Sequence, residues 1–133
     1  MVINKELLDS ISAQAKANER LRMNFNLHES LDSPSQRLIN ALEVGTIIPV
    51  HRHKYTSETY ILIRGAIRLV LYDALGNITE SVVLSPSTNN FGFNIPKYQW
   101  HSLEVLSPGT AIFEAKDGPY KPLSEDDILT IHQ

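Results

Sequence analysis

The sequence predicts a mainly all-β fold, an antiparallel sandwich or small barrel that follows one N-terminal α-helix. Two observations support this class. Short apolar or alternating segments recur along most of the chain, and the stretches between them are rich in Gly, Pro, Asn, Asp and Ser. Helical periodicity is confined to the beginning of the chain. We therefore expect the short strands to pair in antiparallel sheets.

The N-terminal segment has the pattern of an amphipathic helix. Its apolar residues fall near one helical stripe: Ile3, Leu7, Leu8, Ile11 and Ala15. Charged and polar residues occupy most of the other positions, so the pattern predicts a helix over residues 4–18. We assign residues 1–20 to a helix that packs on the outside of the barrel.

The remaining chain predicts nine short strands. The first is marked by Met23, Phe25 and Leu27, which alternate with polar residues. The full set comprises residues 23–28, 37–43, 47–53, 59–64, 66–72, 78–84, 92–95, 101–105 and 110–115. We expect residues 21–122 to form a single barrel domain and residues 123–133 to form a tail or short closing element. His132, in that tail, is assigned no role.

Composition limits the possible classes of protein. The chain has 133 residues, 42% of them hydrophobic and 20% charged, as in one ordinary globular domain. A net charge of −3 provides no basic field for nucleic acid. The absence of Cys excludes disulfides, thiolate zinc sites and thiol nucleophiles. No apolar stretch has the length of a membrane span or the form of a secretory signal, so the sequence predicts no membrane partner and a cytoplasmic location.

Four residues are candidate metal ligands. His51 and His53 are two positions apart, so a strand would project both imidazoles from one face with Cα atoms roughly 6.6 Å apart. Glu58 begins the next apolar segment, and His101 begins a strand far along the chain. Three imidazoles and one carboxylate suit a single divalent transition metal such as Fe, Mn, Ni, Zn or Cu, with positions left open for water or substrate. An isolated pair of histidines is more often a solvated face, so the joint spacing decides the interpretation.

The spacing of these residues resembles the first signature motif of the cupin superfamily. Residues 45–65 read G-x5-HxH-x4-E-x6-G without a mismatch. The second cupin motif is matched at Pro96 and His101, but Tyr98 stands where glycine is usual, and Val105 where asparagine is usual. The resemblance implies a cupin-type small β-barrel or jelly roll.

Three further segments resemble the WbuC-type cupin-fold metalloproteins. They are residues 20–28 (RLRMNFNLH), 36–42 (QRLINAL) and 114–120 (EAKDGPY), and the likeness spans roughly residues 15–122. It implies a small bacterial metal-binding cupin, often associated with surface-polysaccharide genes, whose reaction is not settled for the family.

The strand that contains Asn24, Asn26 and His28 has two interpretations. This polar face either closes over the barrel mouth and binds a polar ligand or faces water as an edge strand. We predict substrate-binding roles for Arg22, Asn24, Asn26, His28 and Tyr60. Arg22 would bind an acidic group, and Tyr98 and His28 are the predicted proton-transfer residues.

Three functional hypotheses follow from these residues. The first is a metal-dependent isomerase or epimerase that acts on a sugar or sugar nucleotide, and an iron-dependent dioxygenase is a second enzymatic version. The second hypothesis is a ligand-binding or sensing module without catalysis. The third is a structural metal that only stabilises the barrel. We expect a homodimer, since a C2 pair is the commonest way to cover an exposed sheet face or edge.

Overall fold

A computed structural model describes residues 1–130 as two facing antiparallel β-sheets with one helix against the outside. The elements in chain order are α1 (Lys5–Ala17), β1 (Arg22–Asn26), β2 (Ser35–Leu42), β3 (Glu58–Arg64), β4 (Ile67–Tyr72), β5 (Ile78–Leu84), β6 (Gly92–Ile95), β7 (Trp100–Val105) and β8 (Thr110–Asp117). This confirms the predicted mainly all-β class with an N-terminal helix. Residues 131–133, with His132 among them, lie outside the described residues, so the segment 123–133 is described only to Thr130.

The strands form a five-stranded sheet in the order β1-β2-β8-β3-β6 and a three-stranded sheet in the order β5-β4-β7. All pairings are antiparallel. Strand β3 pairs with β8 and β6, and β7 pairs with β4 in the opposite sheet. Glu58 at the start of β3 and His101 near the start of β7 therefore lie at one end of the space between the two sheets.

Two apolar clusters stabilise this arrangement. The larger one fills the space between the sheets and includes Leu42, Ile67, Leu69, Leu84 and Ile112, each fully buried. A smaller cluster lies between α1 and the outer face of the five-stranded sheet. Burial of a Leu or Ile side chain contributes roughly 1.5–3 kcal/mol to the stability of the fold. These clusters therefore stabilise the two sheets between which the site lies.

Helix α1 forms where the amphipathic pattern predicts it. The Asn4 side chain caps its N-terminus by accepting the Leu7 N–H at 3.0 Å. Leu8, Ile11 and Ala15 pack in the smaller cluster, and Met23 and Phe25 of β1 pack against the same cluster. One face of β1 therefore packs under the helix. The opposite face, with Asn24 and Asn26, points away from the helix.

The predicted strand over residues 47–53 is wrong. The structure has an irregular segment there, in which His51 alone forms β-bridges, to His101 and Ile128. Pro49 lacks the N–H that a continuous ladder requires. Gly45 has a φ of +98°, which turns the chain just before the segment. Ile47 is 81% exposed as a result, although strand alternation places it inside.

The C-terminal segment, residues 124–129, closes over this irregular stretch. It contains a 3-10 turn at Glu125–Asp127. The Asp127 carbonyl accepts the Arg52 N–H at 3.0 Å, and the Leu129 N–H donates to the Val50 carbonyl at 2.8 Å. These main-chain bonds replace the ladder that residues 47–53 do not form. Within residues 1–130, no helix is both long and apolar enough to cross a membrane.

Candidate metal centre and cavity

His51, His53, Glu58 and His101 converge at one point. One potential ligand atom from each lies within 4.8 Å of all the others. Glu58 Oε1 lies 2.8 Å from His53 Nε2 and 3.3 Å from His101 Nε2. Glu58 and His101 are 3% and 1% exposed. The chain has therefore gathered three imidazoles and one carboxylate from separate segments into a buried cluster.

Each imidazole of His51 and His101 is oriented by the main chain. His51 Nδ1 lies 2.8 Å from the Pro49 carbonyl, and His101 Nδ1 lies 2.9 Å from the Gln99 carbonyl. A carbonyl only accepts, so each Nδ1 donates and holds the ring proton. Each Nε2 then has a free lone pair, which is the state that binds a metal.

The buried polar atoms fit a metal ion. Glu58 Oε1 and His101 Nε2 are fully buried and have no hydrogen-bond partner among the described residues. Two such acceptors at 3.3 Å repel each other unless a cation lies between them. Imidazole nitrogen and carboxylate oxygen are both good ligands of divalent transition metals. We conclude that this cluster is a possible site for one metal ion, formed by the four residues that the spacing predicts.

Electrostatics favour the ligand forms of these side chains. Burial lowers the pKa of His51 to about 4, so its imidazole is neutral at neutral pH. Burial alone would raise the pKa of Glu58, but hydrogen bonds donated by His101 and His53 outweigh it and lower that pKa when their Nε2 atoms carry a proton, and a cation at the same place would act in the same direction. The neutral imidazole of His51 can therefore bind a metal ion without first losing a proton.

A cavity of about 490 Å³ opens onto this cluster. His51, His53 and Glu58 line it, while His101 lies buried behind them. All five residues with predicted substrate-binding roles line the same cavity: Arg22, Asn24, Asn26, His28 and Tyr60. A volume of this size suits a small molecule. One face of β1 therefore packs against the cluster under α1, and the other face lines the cavity.

Arg22 and Tyr60 are held in place by different contacts. The Arg22 guanidinium donates to the Ile47 carbonyl at 2.8 Å, which fixes it at the rim of the cavity. Tyr60 is 4% exposed, and burial raises the pKa of its phenol well above the usual value. Tyr60 is therefore a neutral hydroxyl in the cavity wall. Their substrate-binding roles stay predictions.

Tyr98 lies apart from the cavity. Its side chain is 60% exposed, its ring centroid is 6.0 Å from the Arg52 guanidinium carbon, and it is absent from the cavity lining. Its φ is +67°, a left-handed conformation that favours glycine, the residue usual at this place in the motif. The Tyr98 N–H donates to the His53 carbonyl at 2.9 Å and so joins the two motifs. Its predicted role in proton transfer stays a prediction that this placement does not support.

Two polar residues in the cavity wall have no role in the interpretation of the sequence. Glu114 on β8 and Asn40 on β2 both face inward, and Asn40 Nδ2 donates to Glu114 Oε1 at 3.2 Å. Burial, followed by the negative charge of Glu58, raises the pKa of Glu114 to about 7. A signal for Glu114 exists in the sequence, since it is a charged residue within the apolar run of the last strand. Asn40 gives the same kind of signal, as an amide within the apolar run of residues 38–42.

Comparisons with known proteins agree with this fold. Residues 3–84 match the model of a protein family described as "Domain of unknown function (DUF6016)". The matched region includes His51, His53 and Glu58 and ends before His101. A search of curated proteins finds no matching relative.

Solved structures of cupins have the same architecture. A cupin-2 domain protein from Shewanella frigidimarina is 18% identical over 88% of this chain and 95% of its own, with a TM-score of 0.59. KdgF from a Halomonas species is 17% identical over 75% of this chain and 82% of its own, also at 0.59. A tryptophan-to-tyrosine variant of Bacillus subtilis oxalate decarboxylase is 19% identical over 83% of this chain but only 28% of its own, at 0.57. At such identities these likenesses show the cupin fold alone.

Proposed function

The chain belongs to the DUF6016 family and has the cupin fold, and we propose that it is a metal-dependent enzyme acting on a small polar metabolite. Because the family is described as a domain of unknown function and a fold does not determine a function, the activity is inferred from the site. The single observation that carries this proposal is the opening of the His51, His53, Glu58 and His101 cluster into a polar cavity. A structural metal site is normally closed to ligands.

The proposed substrate is a sugar or sugar nucleotide, and the proposed reaction is an isomerisation or epimerisation. A divalent ion held by the four ligands would polarise an oxygen of the bound substrate and stabilise negative charge on it. The side chains of Asn24, Asn26 and His28 offer both hydrogen-bond donors and acceptors to hydroxyl groups. The likeness to WbuC-type proteins over residues 15–122 also supports a role in surface-polysaccharide synthesis.

Isomerisation and epimerisation require a side chain that takes up and returns a proton. Glu114 is a buried carboxyl group in the cavity wall, and burial raises its pKa to about 7. A group with a pKa near the working pH is best suited to general acid–base catalysis. His28 also lies in the wall, with Nε2 buried and unpaired. We assign proton transfer to these two residues. The homodimer and the cytoplasmic location stay predictions.

The test compares wild-type protein with the double variant His51→Ala/His53→Ala. Each is loaded separately with Fe(II), Mn(II), Ni(II) or Zn(II), and a panel of sugars and sugar nucleotides is followed by NMR. We expect wild-type protein to interconvert at least one pair of isomers and the double variant to be inactive. Oxygen consumption by the Fe(II) form would instead identify a dioxygenase. Binding of panel members without turnover or oxygen consumption would leave the binding module as the correct function.

A further inference from the structure

Two unpaired polar atoms in the cavity wall are not explained by the metal centre. Among the described residues, four buried side-chain atoms have no hydrogen-bond partner, and Glu58 Oε1 and His101 Nε2 belong to the candidate metal centre. The other two are Asn40 Oδ1 and His28 Nε2. Both side chains line the same cavity. Because a buried polar atom normally has a partner, these two atoms are available to form hydrogen bonds with a molecule bound in the cavity.

Glu114 adds a third polar group to this wall. It lies on β8 beside Leu38 of β2 and Tyr60 of β3, so it occupies the centre of the five-stranded sheet. It is 9% exposed, and one oxygen accepts from Asn40 Nδ2. No Lys, Arg or His among the described residues forms an ion pair with it within 4.0 Å. A buried carboxyl group without a cationic partner is costly to keep for stability alone.

His28 is oriented toward the cavity by the main chain. It is 7% exposed, and its Nδ1 lies within 3.0 Å of the Arg37 N–H and 2.9 Å of the Arg37 carbonyl. The backbone therefore occupies Nδ1 in either tautomer. Only Nε2 is left for a ligand, and the side chain that carries it is more than nine-tenths buried.

We infer that Glu114, Asn40 and His28 form a second polar subsite, which binds hydroxyl groups of a small polyhydroxylated anion. This inference rests on the proposed function and names the class of its substrate. A hydroxyl group both donates and accepts a hydrogen bond. It would donate to Asn40 Oδ1 or to Glu114 and would accept from His28 when Nε2 carries the proton. Hydroxyl groups along one molecule that lies across this cavity wall would therefore pair with both unpaired atoms.

The charge of the cavity supports an anionic ligand. Four basic residues line it: Arg20, Arg22, Lys116 and Lys121. Among the described lining residues the acidic groups are Glu58 and Glu114 alone. An excess of positive charge raises the local concentration of anions and speeds their association. A carboxylate or a phosphate attached to the hydroxylated chain would fit this rim.

The test measures binding of defined probes to zinc-loaded protein by calorimetry. D-Gluconate carries five hydroxyl groups and one carboxylate, and hexanoate has the same charge and number of carbons without hydroxyls. D-Glucitol 6-phosphate replaces the carboxylate by a phosphate. We expect gluconate or glucitol 6-phosphate to bind at least tenfold more tightly than hexanoate. We expect Glu114→Gln to lower the affinity for the hydroxylated probe at least tenfold. The matched control is Glu43→Gln, a buried carboxyl that accepts the Gly109 N–H elsewhere, and it should bind as wild type.

Three results would overturn the inference. They are no binding of either hydroxylated probe, binding of hexanoate with equal affinity, or unchanged affinity in Glu114→Gln. If Glu114→Gln fails to fold, Asn40→Leu decides in its place, because it removes the amide and keeps the bulk. Zinc content is measured in every sample. Loss of zinc from wild-type protein, or zinc retained by His51→Ala/His53→Ala, would refute the proposed function instead, so the two failures differ.

Discussion

The Asp127 carbonyl accepts the main-chain N–H of Arg52 at 3.0 Å, and this bond attaches the C-terminal segment to the stretch between His51 and His53. The Asp127 carboxylate also lies 3.2 Å from Lys54 Nζ and accepts from Ser124 Oγ at 3.0 Å. The two candidate ligands of the irregular segment are therefore held in place by a part of the chain that contributes no ligand.

Replacement of Asp127 by Asn should weaken metal binding. The substitution keeps the size of the side chain and removes one of the two carboxylate charges near Lys54, the one that also lies 3.5 Å from Arg52 Nε. We expect roughly tenfold weaker affinity, as is typical when a group that orients ligands is lost, and a melting temperature lower by several degrees. Competition with a fluorescent zinc chelator gives the affinity. Asp126→Asn is the matched control, since it removes the other carboxylate that pairs with Lys54, on a side chain that is 73% exposed. Equal affinities in the two variants would contradict this role of Asp127.

Tyr98 should tolerate replacement by Gly better than replacement by Ala. Its φ of +67° costs an ordinary residue roughly 1–2 kcal/mol, a cost that glycine does not have. We therefore expect Tyr98→Gly to exceed Tyr98→Ala in unfolding free energy by about 1 kcal/mol. Chemical denaturation measures the difference. The opposite order would show that glycine's backbone entropy outweighs the strain. Retention of activity by Tyr98→Gly would exclude the phenol from proton transfer.

Gly65 should not tolerate a side chain. Its φ is +85°, and an added Cβ would lie 2.7 Å from the Thr110 Cα. We expect Gly65→Ala to lower the unfolding free energy by about 2–4 kcal/mol. Gly45→Ala is the control, because Gly45 has a similar φ of +98° but its added Cβ would meet only a Leu21 methyl carbon at 3.4 Å. Its loss should be about 1 kcal/mol. Equal losses of unfolding free energy in the two variants would show that backbone conformation, and not close packing, explains why glycine is required at position 65.

The stability of a Glu114→Gln variant should depend on pH differently from that of wild type. The pKa of Glu114 is raised from 4.5 to about 7 on folding, chiefly by burial. The folded state thus prefers the protonated carboxyl, and this contribution is present below pH 4.5 and lost as pH rises through about 7. Glutamine stays neutral.

The unfolding free energy of Glu114→Gln, relative to that of wild type, should therefore increase by about 3 kcal/mol between pH 4.5 and pH 8. Urea unfolding of metal-free protein measures it. The exposed Glu104→Gln variant serves as the control and should follow wild type. A constant difference between Glu114→Gln and wild type across this range would contradict a raised pKa.

Much of the fold could be predicted from local patterns. The helix and eight of the nine predicted strands occur with bounds that differ by at most two residues, because alternation and turn residues report the local environment directly. Residues 47–53 were the exception. Their side chains alternate, but their main chain pairs with the C-terminal segment and with β7 only at single positions. Pairing of that kind is decided by tertiary contacts, which a local pattern does not contain.

The candidate site could be predicted in part for the same reason. The spacing of His51, His53 and Glu58 identifies three candidate ligands within one segment, and the second motif identifies His101 as the fourth candidate. Glu114 and Asn40 meet only because β2 and β8 pair in one register, which the sequence does not reveal. The left-handed conformation of Tyr98 could not be predicted from the residue type, since tyrosine rarely adopts it. Its catalytic role stays a prediction.

The most direct test of the account is the metal content of purified protein, measured by mass spectrometry of the elements. Wild-type protein should carry one divalent transition-metal ion per chain, and His51→Ala/His53→Ala should carry almost none. His28→Ala should keep the ion, because His28 lies in the cavity wall outside the cluster of ligands. Equal metal content in wild-type protein and in the double variant would contradict the central claim that these four side chains hold the ion.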